Sequence, residues 1–239
     1  MSVVGTTTAG TESMAAKGQE YFEFERPEVI RLIPPTARRV LDVGCGAGAL
    51  GAALKRERPG VHVVGLEYVA EAVELARTRL DEVHQVDLNT LDDLFAPEPF
   101  DTIVFADVLE HLLDPEATLR ALLSVLSPEG CIVASIPNVK HWSVLLPLLV
   151  NDRFTYTAAG LLDRTHVHLF TMTEAVDMFE RVGLAHIAEL ELVNMPPEDM
   201  ATLGPLVGAA AQYGASADRT TRLLSVYQYL FVAARRAAA

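Results

Sequence analysis

The chain has 239 residues, about the upper end of what one hydrophobic core holds, which favours a single domain. Nineteen basic and 32 acidic residues give a net charge of −13, so binding to nucleic acid or to an anionic membrane surface is disfavoured. Half of the residues are hydrophobic, but no stretch approaches the roughly 20 uninterrupted apolar residues that a membrane helix requires.

The composition of the first residues and the cysteine count predict the compartment. Cys45 and Cys131 lie in apolar or glycine-rich runs, and MSVVGTTTAG has neither a basic head nor a long apolar stretch for export. We therefore expect a cytoplasmic protein without a disulfide framework. Residues 1–18 lack an apolar period and are predicted to form a flexible tail, whereas residues 19–239 are predicted to form one domain.

The first predicted elements alternate between helix and strand. The segment YFEFERPEVIRLIPP predicts a short helix that ends at Pro34 and Pro35, followed by the strand RVLDVG. Helices are then predicted over 49–58, 70–79, about 91–95 and 115–126, and strands over 61–67, 83–87, 100–106 and 131–137. Continuously apolar strands separated by helices predict a parallel sheet covered on both faces, which is a doubly wound α/β domain.

The alternation breaks after Pro137. Residues 138–170 are aromatic, His-rich and irregular, and we interpret them as an acceptor-binding lid inserted after the fifth strand. The remaining predicted elements are a helix over 173–182, a strand over 184–193, an excursion over 195–216 and a strand over 223–234. Because the last two strands can pair antiparallel, we predict a mostly parallel seven-stranded sheet with an antiparallel last strand.

A glycine-rich loop, VLDVGCGAG, ends the first strand and opens a helix. Open α/β sheets bind nucleotide-like ligands at such a place. Gly44, Gly46 and Ala49 also fit the dinucleotide pattern, so the glycines by themselves leave a nicotinamide cofactor open. Asp42 at the mouth of the loop would oppose a pyrophosphate and favour a cation, which disfavours an NAD(P)-dependent oxidoreductase.

Two further acids close the next two strands. Glu67 ends the second strand, where a carboxylate can accept ribose hydroxyls. Asp87 ends the third strand, where an adenine amino group would lie, with Leu88 beside it to cover the ring. S-adenosylmethionine (SAM) carries an ammonium, a sulfonium and no phosphate, so three carboxylates at successive strand ends favour SAM as the ligand.

Together with FDTIVFADVLEHL, these features resemble class I SAM-dependent methyltransferases, which have a Rossmann-like sheet, over roughly residues 20–235. The resemblance implies that the glycine loop holds the methionine moiety, Glu67 the ribose and Asp87 the adenine. It also implies that Tyr21 caps the sulfonium and Arg26 meets the methionine carboxylate, although ordinary packing of the N-terminal helix stays open for both. The cofactor-binding residues expected from the resemblance are Tyr21, Arg26, Asp42, Gly44, Cys45, Gly46, Gly48, Glu67, Tyr68, Asp87, Leu88, Ala106 and Asp107.

The acceptor side needs groups that align a nucleophile, exclude water and remove a proton. Asp107 and His111 share one face if their segment is helical, and PNVKHW with LLDRTHVHLFT resembles bacterial methyltransferases found with glycan and natural-product biosynthesis. That resemblance implies a sugar-like or secondary-metabolite hydroxyl as the acceptor. We expect His111 or His166 as general base, with His141 and Asp107 as further catalytic candidates.

A metal-dependent alternative uses overlapping residues. Asp107, Glu110, His111 and His166 resemble the set that holds a divalent ion in small-RNA 2′-O-methyltransferases, and ubiquinone-pathway O-methyltransferases show a related acid-x-x-Glu-His pattern. Mg²⁺ or a similar ion there would tether acceptor oxygens and lower a hydroxyl pKa. We favour a general base without metal.

Several alternatives stay open at this level. The acceptor atom could be nitrogen or carbon, or the chain could be a non-catalytic SAM-binding partner subunit. Trp142 could be core, and Asp163 and Arg164 could form a salt bridge that holds the lid. The protein could be a monomer or a homodimer.

Overall fold

The computed structural model describes residues 24–91, 98–193 and 200–235. At their centre lies a seven-stranded sheet in the order β3-β2-β1-β4-β5-β7-β6. The strands are β1 Arg39–Val43, β2 His62–Glu67, β3 Glu82–Gln85, β4 Phe100–Ala106, β5 Leu126–Pro137, β6 Leu184–Val193 and β7 Val226–Arg235. Strand β7 runs antiparallel to both β5 and β6, and the first five strands pair parallel. The predicted doubly wound sheet with an antiparallel last strand is confirmed.

Eight α-helices accompany the sheet in the described residues. They are α1 Pro27–Ile30, α2 Ala49–Glu57, α3 Ala70–Ala76, α4 Pro115–Leu123, α5 Trp142–Asn151, α6 Met172–Arg181, α7 Gly204–Gln212 and α8 Ala217–Ser225. Short 3₁₀ turns cover Leu88–Thr90, Leu109–His111 and Ala201–Leu203. None of the described helices is long and apolar enough to cross a bilayer.

The two faces of the sheet carry separate apolar cores, because side chains of successive strand residues point to opposite faces. Phe105 and Phe231 belong to one core, whereas Val104 and Leu230 belong to the other, where α1 and α2 pack. Helix α6 begins with a capping box, in which the Thr171 side chain accepts from the Glu174 backbone and the Glu174 side chain accepts from the Thr171 backbone. Local signals and apolar burial therefore agree along this part of the chain.

Several predicted elements differ from the structure in extent, among them the helix predicted over 70–79, which ends at Ala76, and the strand predicted over 83–87, which ends at Gln85. The first helix is confined to Pro27–Ile30, because Arg26 adopts a left-handed conformation (φ 53°) and Pro27 favours the first helical position. The fourth helix ends at Leu123 rather than 126, and β5 begins at Leu126. The brief helix expected over 91–95 lies almost wholly outside the described residues, as does the predicted tail.

The two segments expected to be irregular contain helices. Within 138–170, helix α5 spans Trp142–Asn151 with Pro147 inside it, and only the remainder is irregular. The excursion forms α7, and Leu223–Ser225 end α8, so the last strand starts three residues later than predicted. Trp142 and Leu145 of α5 pack with the buried Leu203 and Leu224, which places the two segments against each other. The lid function itself stays a prediction.

Candidate active site

A cavity of about 880 Å³ opens at the carboxyl ends of β1, β2 and β4 and extends to the segment 159–167 and to β7. Parallel strands bring their carboxyl ends to one edge, which is why residues far apart in sequence meet here. The predicted site residues that line it are Arg26, Asp42, Gly44, Cys45, Gly46, Glu67, Tyr68, Asp87, Leu88, Ala106, Asp107, His111 and His166. Tyr21 lies outside the described residues.

The glycine loop needs its glycines for backbone geometry. Gly44, Gly46 and Gly48 have φ values of 68°, 55° and 79°, a region that side chains disfavour. A Cβ on Gly44 would come within 2.7 Å of Val108. Gly48 does not line the cavity, and a Cβ there would approach the backbone of α3 instead. Gly48 therefore allows the loop to turn and to pack closely against α3, on the side of the loop away from the cavity.

Two buried carboxylates, Asp42 and Glu67, lie beside this loop. Glu67 Oε1 accepts from the backbone N–H groups of Tyr68 (2.9 Å) and Val69 (2.8 Å), and Oε2 accepts from Gly46 (2.9 Å). Asp42 is 2% exposed, and its Oδ2 has no hydrogen-bond partner within the described residues. Burial, with a smaller contribution from the Glu67 charge, raises the pKa of Asp42 to about 7.

Burial also raises the pKa of Glu67, although its three backbone donors act in the opposite direction. A cation placed beside Asp42 and Glu67 would lower the free-energy cost of burying their negative charges, whereas a phosphate would raise that cost. This half of the cavity therefore favours positive charge in its ligand.

Asp87 and Leu88 line the cavity just after the third strand, and their contact with adenine stays a prediction. Asp87 Oδ1 accepts from the backbone N–H of Asn89 at 3.0 Å and so caps the following 3₁₀ turn. Asn89 also lines the cavity, and its Oδ1 accepts from the backbone N–H of Leu113 at 2.8 Å. Sequence reasoning missed Asn89, which has no pattern of its own beyond its position after Asp87.

Asp107 is engaged by three side chains from distant elements. Its Oδ2 lies 2.5 Å from Nη1 of Arg26, and Oδ1 accepts from Ser135 Oγ and Gln228 Nε2, both at 2.7 Å. Arg26 Nη2 donates to Ser135 Oγ at 3.0 Å, and its Nε donates to Glu28 at 2.8 Å. Asp107 is thus held in an ion pair with Arg26, and the geometry gives its predicted catalytic role no support. Ser135 and Gln228 were missed, although polar residues inside apolar strands are a usable signal.

The hydrogen bonding of His111 identifies the tautomer of its ring. Its Nδ1 lies 3.0 Å from the carbonyl oxygen of Thr165, and because a carbonyl only accepts, Nδ1 carries the proton of the neutral ring. Nε2 is then the basic nitrogen. The ring lines the cavity and meets His166 edge to face, with 4.7 Å between centroids. This tautomer is the one that a general base requires.

Glu110 is buried behind His166. His166 Nδ1 lies 3.2 Å from the Leu161 carbonyl oxygen, and Nε2 lies 3.9 Å from Glu110 Oε1. Glu110 is 1% exposed, and burial raises its pKa well above the ordinary range. The Glu110 carbonyl accepts from the backbone N–H groups of Val167 (2.9 Å) and His168 (3.0 Å), so the segment that carries His166 is fastened to the turn that carries His111.

The predicted metal ligands come together only in part. Possible ligand atoms of Glu110, His111 and His166 lie within 4.8 Å of one another, whereas Asp107 is not in the group. Two imidazoles and one carboxylate suit a transition metal or zinc, whereas Mg²⁺ prefers an oxygen shell. The donor set therefore does not fit the predicted Mg²⁺, and a metal role for this cluster stays a prediction.

His141 lies apart from the cavity wall and caps α5. Its Nδ1 accepts from the Ser143 backbone at 3.3 Å and lies 2.7 Å from Ser143 Oγ. Asp163 lines the cavity, and its Oδ1 accepts from the backbone and hydroxyl of Thr165, while Arg164 is exposed. These positions do not support the alternative of a salt bridge between Asp163 and Arg164. The position of His141 supports a structural role.

Comparisons with known proteins place this geometry in context. A family model described as a methyltransferase domain matches residues 15–189. A ubiquinone biosynthesis O-methyltransferase of Xylella fastidiosa (strain 9a5c) is 38% identical over 115 residues, which cover 46% of this chain and 46% of that protein. The chain thus matches less than half the length of that curated relative.

Two solved structures resemble the whole fold. A SAM-dependent methyltransferase from Archaeoglobus fulgidus superposes with a TM-score of 0.61 at 19% identity, covering 93% of this chain and 96% of that chain. A possible histamine N-methyltransferase from Thermotoga maritima gives 0.65 at 15% identity, covering 95% and 100%. At such identities the likeness is one of fold.

Proposed function

The chain belongs to the methyltransferase-domain family with the class I SAM-dependent fold, and we propose that it transfers the methyl group of SAM to a hydroxyl of a small-molecule acceptor. The observation that carries this proposal is one continuous cavity with two chemically different halves. One half is acidic and lined by the glycine loop, and the other combines His111 with apolar side chains. The first suits the donor and the second suits the acceptor.

The acidic half supports SAM over a dinucleotide. The SAM ammonium and sulfonium would relieve the buried charge of Asp42 and Glu67, whereas a pyrophosphate would be repelled. Glu67 Oε2 accepts one hydrogen bond from Gly46, and a carboxylate oxygen has room for a second, so it can accept a ribose hydroxyl. Asp87 and Leu88 are proposed to contact the adenine, as the resemblance implies.

His111 is proposed as the general base. Methyl transfer from a sulfonium is an in-line displacement, and a hydroxyl nucleophile loses its proton as the new bond forms. Because Nδ1 donates to the Thr165 carbonyl, Nε2 carries the lone pair of the neutral ring and is the atom proposed to take that proton. His166 also lines the cavity, but its Nε2 faces the buried Glu110. We therefore favour His111 over His166 as the base.

The acceptor half favours a largely apolar molecule. Its wall includes Leu161 and Val167 beside His166. A sugar would place hydroxyls against these apolar side chains, so we place the sugar-like acceptor second. A phenolic hydroxyl is the better match, because its pKa near 10 is within reach of an imidazole base. The similar protein of Xylella fastidiosa is named as an O-methyltransferase of ubiquinone biosynthesis, which supports oxygen as the methylated atom.

The test combines a panel of acceptors with two histidine variants. Wild-type protein is incubated with methyl-labelled SAM and with phenols, catechols, amines and sugars, and products are identified by mass spectrometry. His111→Gln is expected to lower turnover by about 10²- to 10⁴-fold while S-adenosylhomocysteine still binds. His84→Gln is the matched control, since His84 is exposed on β3 outside the cavity.

Two outcomes would overturn parts of this proposal. Near-normal turnover of His111→Gln would remove the base and favour an amine or carbon acceptor, which product analysis then identifies. Binding of SAM without turnover of any acceptor would favour a non-catalytic partner subunit.

A further inference from the structure

Arg26 is the single lysine or arginine among the described residues that line the cavity. The donor proposed above ends in an amino acid and brings a carboxylate into a cavity already lined by Asp42, Glu67, Asp87 and Asp107. An entering carboxylate needs a cation in such surroundings, because the acids would otherwise repel it. Within the described wall, the Arg26 guanidinium is the group that provides one.

The guanidinium is already paired with two carboxylates. Arg26 Nη1 lies 2.5 Å from Asp107 Oδ2, and Nε lies 2.8 Å from Glu28 Oε1. One positive charge facing two negative charges leaves the group negative, so a third carboxylate is repelled rather than attracted. One acid must therefore release Arg26 before the donor carboxylate can bind.

The geometry singles out Asp107 as the acid that leaves. Asp107 lines the cavity, whereas Glu28 does not. Asp107 Oδ1 is held by Ser135 and Gln228 at 2.7 Å each, so the carboxylate keeps two donors when Oδ2 gives up the guanidinium. The pair is also partly accessible, with side-chain exposures of 18% for Arg26 and 22% for Asp107, so a ligand can reach it.

This inference rests on the proposed function. We propose that Asp107 occupies Arg26 in place of the donor carboxylate, and that the donor binds by replacing Asp107 Oδ2 on the guanidinium while Ser135 and Gln228 retain Oδ1. Asp107 thus competes with the carboxylate of both SAM and S-adenosylhomocysteine. The competition weakens product binding as well as donor binding, which favours product release after methyl transfer.

The test compares two ligands by calorimetry on the full chain. S-adenosylhomocysteine carries the carboxylate, and decarboxylated S-adenosylhomocysteine lacks it but retains the amine and the nucleoside. Asp107→Asn removes the competing charge, and asparagine tolerates the left-handed backbone (φ 57°) that Asp107 adopts. The matched control is Asp152→Asn, because Asp152 is also left-handed (φ 52°) but exposed and outside the cavity.

Asp107→Asn is expected to bind S-adenosylhomocysteine roughly two- to fivefold more tightly than wild type, as for release of a partly exposed ion pair. Its affinity for the decarboxylated ligand should be unchanged, and Asp152→Asn should bind both ligands with wild-type affinity. Equal or weaker binding of S-adenosylhomocysteine by Asp107→Asn overturns the proposed exchange. If the variant loses affinity for both ligands to the same extent, Asp107 contacts the amine of the ligand instead. If wild type binds neither ligand, the donor assignment of the proposed function fails first.

Discussion

Replacing Asp42 by asparagine should stabilise the ligand-free protein above neutral pH and weaken its binding of the donor. Asp42 is almost fully buried, and its Oδ2 has no hydrogen-bond partner in the described part of the chain. The ionised carboxylate therefore destabilises the fold until a cationic ligand arrives. Function and stability oppose each other at this residue.

The direction of the pH effect follows from the raised pKa. The pKa of Asp42 is about 7 in the folded protein against an ordinary value of 3.8, so the folded state holds a proton that the unfolded chain has already lost. Stability is present below the unfolded value and falls as the pH rises from about 4 to about 7. The full shift corresponds to roughly 4 kcal/mol of destabilisation above pH 7.

Asparagine removes this charge but leaves a buried amide without partners, which costs about 1–3 kcal/mol. The net gain expected for Asp42→Asn at pH 8 is therefore about 1–3 kcal/mol, with no gain or a small loss at pH 5. The raised pKa values of Glu67 and Glu110 act in the same direction in both proteins. The difference between wild type and variant consequently isolates Asp42 and its coupling to Glu67.

Urea denaturation of the ligand-free protein at pH 5, 6, 7 and 8 measures this difference, with Asp152→Asn as the control for an exposed aspartate. Calorimetry with S-adenosylhomocysteine should show a loss of roughly 10- to 100-fold in affinity for Asp42→Asn, the range for a hydrogen bond to a charged group. A stability difference that does not change between pH 5 and pH 8 would refute the electrostatic reasoning.

Three further outcomes are expected. Gly65→Ala should lower the free energy of unfolding in urea by about 1–3 kcal/mol, because its Cβ would come within 2.6 Å of Cys45 Sγ. Gly208→Ala in helix α7 should raise it by about 0.5–1 kcal/mol, because its Cβ would meet nothing within 4 Å. Thr171→Ala should lower the free energy of unfolding by about 1 kcal/mol, because it breaks the capping box with Glu174. Thr171→Ser should retain most of this stability because serine keeps the hydroxyl. Dialysis against EDTA should change the rate of methyl transfer by less than about twofold, since a general base needs no ion. A large loss of activity that zinc restores would favour the hypothesis that the histidine cluster binds a metal.

The succession of strands and helices and the acids of the donor half were predictable from the sequence. Asp42 and Glu67 lie near the ends of two buried apolar strands, and Asp87 follows the short strand β3. Parallel strands bring those ends to one edge whatever the details of packing. The structure accordingly places all three acids in one wall. Sequence patterns are therefore sufficient to predict which residues meet wherever the fold class fixes the neighbouring strands.

Tertiary structure alone decided the partners on the acceptor side. His111, His141 and His166 look alike in sequence, yet the first and third line the cavity, whereas His141 caps a helix. Gln228 meets Asp107 across 121 residues because the last strand inserts between β5 and β6. Strand order and the path of a long insertion depend on long-range packing, which no local periodicity encodes.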